Sequence, residues 1–527
     1  MCKEFNVIKE PCIPVRMITG EFTTLSIRDV FDKAVDIKGV YCQSPFEEYG
    51  LKRMLAVFVM DFNYFETEED IFNLYLSGKF DMGKFDSYIS MCEEKGDVFN
   101  LFSSEYPFYQ TKYNEEIDKN IYNIDELFYE LPSGTKHTFF QRKYDGFSPT
   151  SCLAGLTALS VFLPGQGGEG YCFGVNGDSP TYYWKSGNNL FHELCLNSIS
   201  KEIWEVDTGI GTEDRHFVKY GGEPIWRRTK PIESKVPFYD ISLFEALTFM
   251  GRRVTLMDFR DNGNVYKISK SPASKYMLYE RDKNNKIIYC SAWRDPYCAY
   301  NELNKDYDII RPMENEVHWL NNAVFYDNSA NKAPLILNKL GVNNMGGSYS
   351  VRKLKKWDLD SLNLVKYGGY NKKQQGLYQW WYKQDISIEV EITDDKEKSQ
   401  YFYKSLIYVQ EVAKRIKSRL INKIDLSDFY VNSYNYVHGE FKDNLLSSTE
   451  DNIENVVNNL KRELLEYAVL CYEKNIAFKK IIRYISNGKI SDSDNNPISI
   501  YYLDLKILRQ SICKFLDITK EEKGDSV

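Results

Sequence analysis

The segment GQGGEG at residues 165–170 has the spacing G-x-G-x-x-G, in which bared backbone approaches the phosphates of a dinucleotide at the start of a helix. That chemistry requires a strand before the motif and a helix after it. Here a helix-like segment precedes the glycines, and YCFGVNG, typical of a strand or turn, follows them. A dinucleotide site is therefore rejected. Two interpretations remain: a loop whose backbone presses against a groove or another chain, or a tight structural turn.

A second candidate, residues 139–150 (FFQRKYDGFSPT), places Phe139 and Phe140 beside Arg142 and Lys143. Aromatic rings next to basic side chains suit contact with an RNA backbone or with a protein groove. An ordinary surface loop is the alternative.

A third candidate, residues 367–376 (YGGYNKKQQG), has two glycines followed by Lys373, Gln374 and Gln375, ahead of two tryptophans. Long polar side chains on a hairpin tip can enter a DNA groove or displace a paired base. A solvated hairpin is the alternative.

Motifs for catalysis are missing from the sequence. It contains no H-E-x-x-H, no G-x-S-x-G, no Walker loop and no dense cluster of His and Asp of the nuclease type. Asp295 precedes a proline, which is typical of a turn. The eleven cysteines form no C-x-x-C pair and only five histidines occur, so no zinc-ligand spacing is present. We predict a protein without catalytic residues, metal or cofactor, although an unrecognised enzyme remains a third class.

Length and charge limit the class of protein further. A chain of 527 residues exceeds the roughly 250–300 residues at which single cores stop growing, so at least two domains are expected. The net charge of −8 argues against a free-standing protein that holds nucleic acid by bulk electrostatics. Local loops with Lys and Arg would have to hold it.

The sequence also bears on location. Charged residues interrupt the first 15 residues, so no secretory signal is predicted there, and the longest apolar stretch, residues 54–62, is shorter than a bilayer span. We expect a cytoplasmic protein with no membrane contact and with reduced, mostly buried cysteines.

The elements that carry these segments are of two kinds. Up to about residue 394 the pattern is mixed: residues 45–62 and 148–162 predict buried helices, and residues 254–259, 286–290 and 386–392 predict strands, with an Asn-Gly turn in RDNGN at 260–264. Beyond it, glycine and proline become scarce and apolar residues recur at helical spacing. The predicted fold is α+β, a large mixed N-terminal domain over 1–394 followed by a C-terminal four-helix bundle over 395–527. Its helices are expected at 399–421, 449–472, 475–485 and 501–516.

Four segments, in order along the chain, carry a family resemblance. PCIPV at 11–15 resembles an opening P-W-I-P-V, with Cys12 in place of Trp, and EYPFYQTK at 105–112 resembles H-P-F-x-Q-T-K. The glycine loop at 164–170 and the G-G-Y hairpin at 367–375 follow in the same order. Together they resemble CasA, the large subunit of the type I-E CRISPR complex Cascade, over nearly the whole chain.

The resemblance implies a non-catalytic subunit that inspects double-stranded DNA for the protospacer-adjacent motif. Gly168 best matches the glycine that approaches the minor groove, Gln374 matches a wedge that parts the first base pair, and a groove lysine is either Lys270 or Lys275. The implied DNA-binding residues are Gly165, Gly167, Gly168, Lys270, Lys275, Lys373, Gln374 and Gln375.

The resemblance also implies partners. The loop with Phe139, Phe140, Arg142 and Lys143 matches the element that docks against the crRNA 5′ handle and the neighbouring backbone and handle-binding subunits. The bundle would contact the small subunits, and the complex would recruit a separate nuclease-helicase. The competing interpretation is a structural scaffold of a ribonucleoprotein without DNA contact.

Overall fold

The computed structural model describes residues 4–130, 145–163, 176, 180–208, 219–227, 242–272, 279–281, 287–289, 295–303, 306–312, 317–326, 331–340, 351–359, 361–371, 378–419, 425–486 and 497–518. The chain divides into two compact units. The first comprises Met1–Glu314, Lys332–Asn344 and Arg352–Ile388. The second comprises Asn315–Asn331, Met345–Val351 and Glu389–Val527. The segment Asn315–Asn331, which the sequence analysis placed in the N-terminal domain, thus packs with the second unit.

The α-helices fall in both units, with α10 to α15 in the second. In chain order they are α1 (Ile27–Asp32), α2 (Pro45–Asn63), α3 (Glu68–Ser77), α4 (Met82–Glu93), α5 (Pro149–Phe162), α6 (Leu190–Leu196), α7 (Lys201–Thr208), α8 (Leu243–Leu247), α9 (Val351–Lys356), α10 (Val390–Thr393), α11 (Lys396–Arg419), α12 (Ser427–Tyr436), α13 (Lys442–Ser447), α14 (Ile453–Ser486) and α15 (Pro497–Leu516). Short 3-10 helices are Ile124–Leu127, His318–Phe325 and Leu335–Leu340.

The described strands all lie before helices α10 to α15 in the chain. They are β1 (Ile13–Met17), β2 (Phe22–Leu25), β3 (Ile37–Val40), β4 (Ile121–Asn123), β5 (Tyr182–Lys185), β6 (Arg252–Phe259), β7 (Val265–Pro272), β8 (Tyr279–Arg281), β9 (Ile287–Tyr289), β10 (Tyr300–Leu303), β11 (Asp306–Ile309), β12 (Asn331–Lys332), β13 (Leu362–Asn371) and β14 (Tyr378–Ile388). This mixture confirms the predicted α+β fold class.

Helix α2 forms the centre of the first unit. The side chain of Ser44 accepts a hydrogen bond from the backbone N–H of Phe46, Pro45 occupies the first turn, and Tyr64 ends the helix in the left-handed conformation at φ 50°. Almost the whole helix between these caps is buried, including the charged residues Lys52 and Arg53. The sequence prediction of a buried helix is confirmed, and its buried charges require partners on the elements around it.

The first unit contains the antiparallel sheets β2-β1-β3, β4-β7-β6 and β14-β13-β5, and of their strands β3, β13 and β14 contact α2. In the third, β13 pairs with β14 along a long hairpin, and Val365 lies opposite Trp184 of β5. The predicted Asn-Gly turn joins β6 to β7, where Gly263 has φ +81°, a conformation that favours glycine.

The C-terminal part of the second unit is helical, as predicted, but the helices differ in their bounds. The two helices expected at 449–472 and 475–485 are one helix, α14, inside which the side-chain amide of Asn475 donates to the carbonyl oxygen of Cys471 at 2.9 Å. Residues 427–447, which carried no helix prediction, form α12 and α13 on either side of a π-helical turn, Val437–Phe441. The strand expected at 386–392 ends at Ile388, and α10 follows it.

The eight described cysteines are free thiols and seven of them are buried, in agreement with the expected use as small apolar side chains. Among the described helices, none combines the length and apolar content that crossing a membrane requires.

Candidate nucleic-acid interface

Helix α5 connects the ends of two of the candidate segments. It begins shortly after residues 131–144 and ends at Phe162, just before residues 164–175, which hold the glycine motif. The hydroxyl of Ser148 accepts from the N–H of Ser151 at its start, and Pro149 occupies its first turn. Helix α5 is mostly apolar on every side, and all its residues from Cys152 to Phe162 are buried. One rigid element therefore sets the distance between the two loop bases.

Glycines hold α5 against its neighbours. A Cβ atom at Gly50 of α2 would lie 2.6 Å from the backbone N of Ala158. A Cβ at Gly155, within α5 itself, would lie 2.7 Å from the ring of Phe128. Such distances are shorter than any van der Waals contact, so a Cβ at Gly50 would push against the backbone of α5 and a Cβ at Gly155 would displace the Phe128 ring.

The base of the glycine segment contacts the base of the long hairpin. The hydroxyl of Tyr378, the first described residue after 372–377, donates to the carbonyl oxygen of Phe162 at 2.8 Å. The ring of Phe46 packs against both, with centroid distances of 4.2 Å to Phe162 and 4.6 Å to Tyr378. The two segments proposed from the sequence to touch DNA therefore leave the folded part of the unit at adjacent points.

The paired glycines of the hairpin explain how β13 fits over α2. Gly369 lies opposite Trp381 in the strand register, and its Cβ would come within 2.6 Å of the Phe46 ring. At Gly368 the Cβ would meet the hydroxyl of Tyr382 at 2.6 Å. The sequence motif G-G-Y thus serves packing at the hairpin stem, whereas the tip lies outside the described residues.

Asn176 anchors the far end of the glycine segment. Its side-chain amide donates to a carboxylate oxygen of Asp295 at 2.8 Å and to the hydroxyl of Tyr182 at 3.1 Å. Arg311 in turn donates to the backbone oxygen of Asn176 at 2.8 Å. The segment is therefore held at both ends, by Phe162 before it and by Asn176 after it.

The anchor residue Asp295 is fully buried and pairs with Arg53 of α2 at 2.7 Å. Burial alone would lower the pKa of Arg53, but the charge of Asp295 outweighs it and holds the pKa well above its ordinary value. Asp295 also accepts from the N–H of Tyr297 at 3.0 Å, the turn contact expected of an Asp before proline. The residue that most resembled a lone catalytic acid is thus part of a structural ion pair.

A second buried network joins α2 to the hairpin. The hydroxyl of Tyr367 on β13 donates to Glu48 at 2.6 Å, and Lys383 of β14 donates to the same carboxylate at 2.8 Å. Lys52, one turn along α2, lies 3.1 Å from Glu48 and 3.0 Å from Glu193. Burial would raise the pKa of Glu48, but Lys52 and Lys383 outweigh burial and lower it, so the carboxylate stays charged.

Comparison with known proteins now identifies the family. The family model described as CRISPR-associated protein Cse1 matches residues 6–477. The chain belongs to the Cse1 family. No curated protein matches it in sequence.

Solved structures share the Cse1 fold. The structure of Thermus thermophilus CasA (Cse1) is 18% identical, with a TM-score of 0.67 over 96% of this chain and 99% of the other. Thermobifida fusca Cse1 is 14% identical, with a TM-score of 0.65 over 98% and 99%. A chain described as part of a CRISPR RNA-guided surveillance complex is 16% identical, with a TM-score of 0.65 over 97% and 99%.

Of the residues proposed for DNA contact in this Cse1-family chain, Lys270 is described. It lies on β7 and is 5% exposed, and its ammonium donates to the backbone oxygen of Glu126 at 3.1 Å and pairs with the Glu126 carboxylate at 3.3 Å. The rings of Tyr122 and Tyr129 lie 5.5 and 5.3 Å from it. A groove contact by Lys270 stays a prediction, and it would require the ammonium to leave these partners.

The other residues proposed for nucleic-acid contact lie outside the described residues, and their roles stay predictions. They are Gly165, Gly167, Gly168, Lys275, Lys373, Gln374, Gln375, Phe139, Phe140, Arg142 and Lys143.

Sequence reasoning missed the supporting networks of this Cse1-family unit. The i,i+4 spacing of Glu48 and Lys52 could have predicted an ion pair, but it could not have predicted that the pair is buried. The pairing of Arg53 with Asp295 had no local signal, because 242 residues separate the two side chains.

Proposed function

We propose that this chain is the non-catalytic large subunit of a crRNA-guided type I-E Cascade complex of antiviral defence, working in the cytoplasm. It recognises the protospacer-adjacent motif in double-stranded DNA, helps to open the duplex for R-loop formation, and takes part in recruiting a nuclease-helicase. The observation that carries the proposal is the hydrogen bond of Tyr378 to Phe162, because it brings the bases of the glycine segment and the hairpin together. Membership of the Cse1 family supports it.

The proposed reading of DNA uses backbone rather than side chains. Gly168 would approach the minor groove, with Gly165 and Gly167 shaping the loop, because a Cα without a Cβ allows the closest approach. The minor groove presents a degenerate pattern of donors and acceptors, which suits a reader of a short motif with tolerant preferences. Of the two candidate groove lysines, Lys275 is favoured over Lys270, whose ammonium already has partners.

The proposed opening of the duplex falls to the hairpin tip. Gln374 would enter between base pairs beside the motif, with Lys373 and Gln375 contacting the backbone. Unstacking a base step costs a few kcal/mol, so the wedge must be held firmly. The buried contacts of Tyr367 and Lys383 with Glu48 hold the stem of the hairpin on α2.

The remaining parts of the chain would contact the rest of the complex. The loop with Phe139, Phe140, Arg142 and Lys143 would dock against the crRNA handle and neighbouring subunits, and the second unit would contact the small subunits. The net charge of −8 fits a subunit that binds DNA through local loops while the complex supplies the remaining contacts. DNA cleavage falls to the recruited nuclease-helicase, so this chain needs no active site.

The first experiment replaces Gly168 with Asp and measures both assembly of the complex and binding of target DNA. We expect assembly to be intact and binding to fall by roughly tenfold or more, since a carboxylate would face the phosphates. The matched control is Asn188→Asp, which makes the side chain of an exposed residue equally negative in the same unit. If Gly168→Asp instead prevents assembly of the complex, the result supports the interpretation of the chain as a structural scaffold. If DNA binding is unchanged, the loop does not read DNA.

The second experiment replaces Gln374 with Ala and follows strand opening on a negatively supercoiled plasmid. Opening should slow while binding to DNA that is already unpaired beside the motif stays normal. Gln510→Ala on the exposed face of α15 is the control. Opening at the normal rate would remove the wedge role from Gln374.

A further inference from the structure

An open cleft of about 560 Å³ lies in the first unit, beside the bases of the loops described above. The N-terminal ends of α2 and α5 and the strand β14 contribute to its lining. Tyr41 and Trp381 line it and are 47% and 39% exposed, so they stand at its mouth. The rings of Phe128 and Phe147 also line it, with their centroids 4.6 Å apart. The cleft thus has aromatic walls and access to solvent.

Two carboxyl groups, Glu47 and Glu130, line the same cleft. Oε1 of Glu130 is buried and has no hydrogen-bond partner among the described residues, while the hydroxyl of Ser44 bonds to this side chain. None of the described lining residues is basic. Lys52 and Lys383, whose charges act on Cys42 of the cleft lining, are paired with Glu48. The cleft thus offers an acceptor, Oε1 of Glu130, to a donor that enters from outside.

The electrostatics agree with the geometry. Burial, and after it the charge of Glu130, raises the pKa of Glu47 to about 8, and burial raises the pKa of Glu130 as well. This occurs although Glu47 lies in the first turn of α2, where the helix dipole favours a negative charge. A positively charged donor placed between the two carboxyl groups would stabilise their charged forms, which burial disfavours.

We propose that this cleft receives an arginine side chain of a partner protein, with the guanidinium between Glu47 and Glu130 and the rings of Tyr41 and Trp381 against its faces. A guanidinium is planar, stacks on aromatic rings and donates from both of its edges, which matches two acceptors between aromatic walls. A lysine ammonium is a point charge and would leave the ring faces unused.

The surface outside the cleft indicates that the arginine belongs to a protein. Tyr41 packs against Phe22 with a centroid distance of 4.7 Å, and Phe22 and the nearby Ile18 are each 57% exposed. A strip of exposed apolar side chains that leads into an acidic cleft is typical of a protein-binding surface, whereas a free polyamine would leave the strip uncovered. The inference rests on the proposed function in one respect: the partner is taken to be another subunit of the same complex.

The test uses the full chain with 5-fluorotryptophan, and the ¹⁹F resonance of Trp381 is assigned with Trp381→Phe. The probe is acetyl-Gly-Arg-Gly-amide, and the same peptide with neutral citrulline is its control. The arginine peptide should shift the Trp381 resonance and the citrulline peptide should not. In Glu47→Gln/Glu130→Gln the apparent affinity should fall by roughly tenfold or more. The matched variant Glu115→Gln/Glu116→Gln, at exposed positions, should behave as the original chain.

Assembly with the other subunits should move the same resonance and abolish its response to the peptide. The proposal is overturned if the citrulline peptide acts equally, if no response to arginine occurs, or if the assembled complex still responds. A stronger response to spermidine that persists after assembly would assign the cleft to a free polyamine. Burial disfavours the charged forms of both carboxyl groups, so the double glutamine variant should melt at the same or a higher temperature, which checks that it is folded. Failure of the DNA-reading proposal is recognised separately, since Gly168→Asp should leave the peptide response intact.

Discussion

Gly50 on α2 offers the sharpest test of how the candidate interface is held together. The substitution Gly50→Ala would place a Cβ atom 2.6 Å from the backbone N of Ala158 and 2.6 Å from the carbonyl carbon of Thr157, both on α5. Backbone atoms within a helix cannot swing aside as a flexible side chain can. The two helices would therefore have to separate, and α5 carries the bases of both loops.

Two opposing contributions determine how much the substitution Gly50→Ala changes the free energy of unfolding. Alanine is favoured over glycine inside a helix by about 1 kcal/mol, which would stabilise the variant. Reaching ordinary contact distance requires a separation of about 0.8 Å, and overpacking of this kind costs about 1–3 kcal/mol, occasionally more. We expect a net loss of up to about 2 kcal/mol for Gly50→Ala. The control Gly83→Ala in α4 meets only a carboxylate oxygen of Asp81 at 3.3 Å and should be neutral or more stable by up to about 1 kcal/mol.

Urea unfolding followed by tryptophan fluorescence measures this difference. Of the eight tryptophans, Trp319 alone falls in the second unit, so the signal reports mainly on the first. The transition midpoint should fall for Gly50→Ala and stay or rise for Gly83→Ala. If both variants are equally stabilised, helix propensity dominates and the close approach of α2 to α5 is refuted.

Three further outcomes are expected from buried charged groups. Burial raises the pKa of Glu47 to about 8, so between about pH 4.5 and pH 8 the folded state holds a proton that the unfolded chain has released, and stability falls as the pH rises through this range. At about 1.4 kcal/mol for each unit of pKa shift, Glu47→Gln should remove about 4–5 kcal/mol of that fall in unfolding measured against pH. Burial lowers the pKa of Lys339 to about 7, so between about pH 7 and pH 10.5 the unfolded chain binds a proton that the folded chain does not. Stability therefore rises with pH across this range, and Lys339→Met should flatten the rise in the same titration. Arg53→Met leaves Asp295 buried without its partner charge and should cost about 3–5 kcal/mol of stability in urea unfolding. The double variant Arg53→Met/Asp295→Asn should recover part of this loss. Equal stability of the single and double variants would contradict the ion pair.

Local signals were enough to predict the elements that carry the interface. The charge order and the helical spacing of apolar residues after Pro45 predicted α2, and Ser148 with Pro149 predicted the start of α5, since a hydroxyl acceptor and a fixed φ suit the first turn of a helix. The Asn-Gly turn between β6 and β7 follows in the same way from the positive φ that glycine tolerates. The ordered motifs also predicted the family, which the match over residues 6–477 confirms.

In other segments the structure differs from what the local sequence pattern predicts. Residues 386–392 alternate like a strand, yet the backbone turns into α10 after Ile388. Separate helices were expected before residue 473 and from Asn475, yet α14 continues through these positions, and the Asn475 amide donates to the carbonyl oxygens of Cys471 and Asp425. Such outcomes depend on hydrogen-bond partners that the sequence of one segment does not contain.

The amino-acid sequence alone determined the helices α2 and α5, the position of the glycine-rich segments and the family to which the chain belongs, because these depend on residues near one another or on their order. Only the tertiary structure decided that Lys270 is engaged by Glu126, that Asp295 neutralises Arg53, and that Glu47 and Glu130 share one cleft. The charge state and accessibility of a side chain depend on atoms brought close by folding, and those atoms come from residues tens to hundreds of positions away.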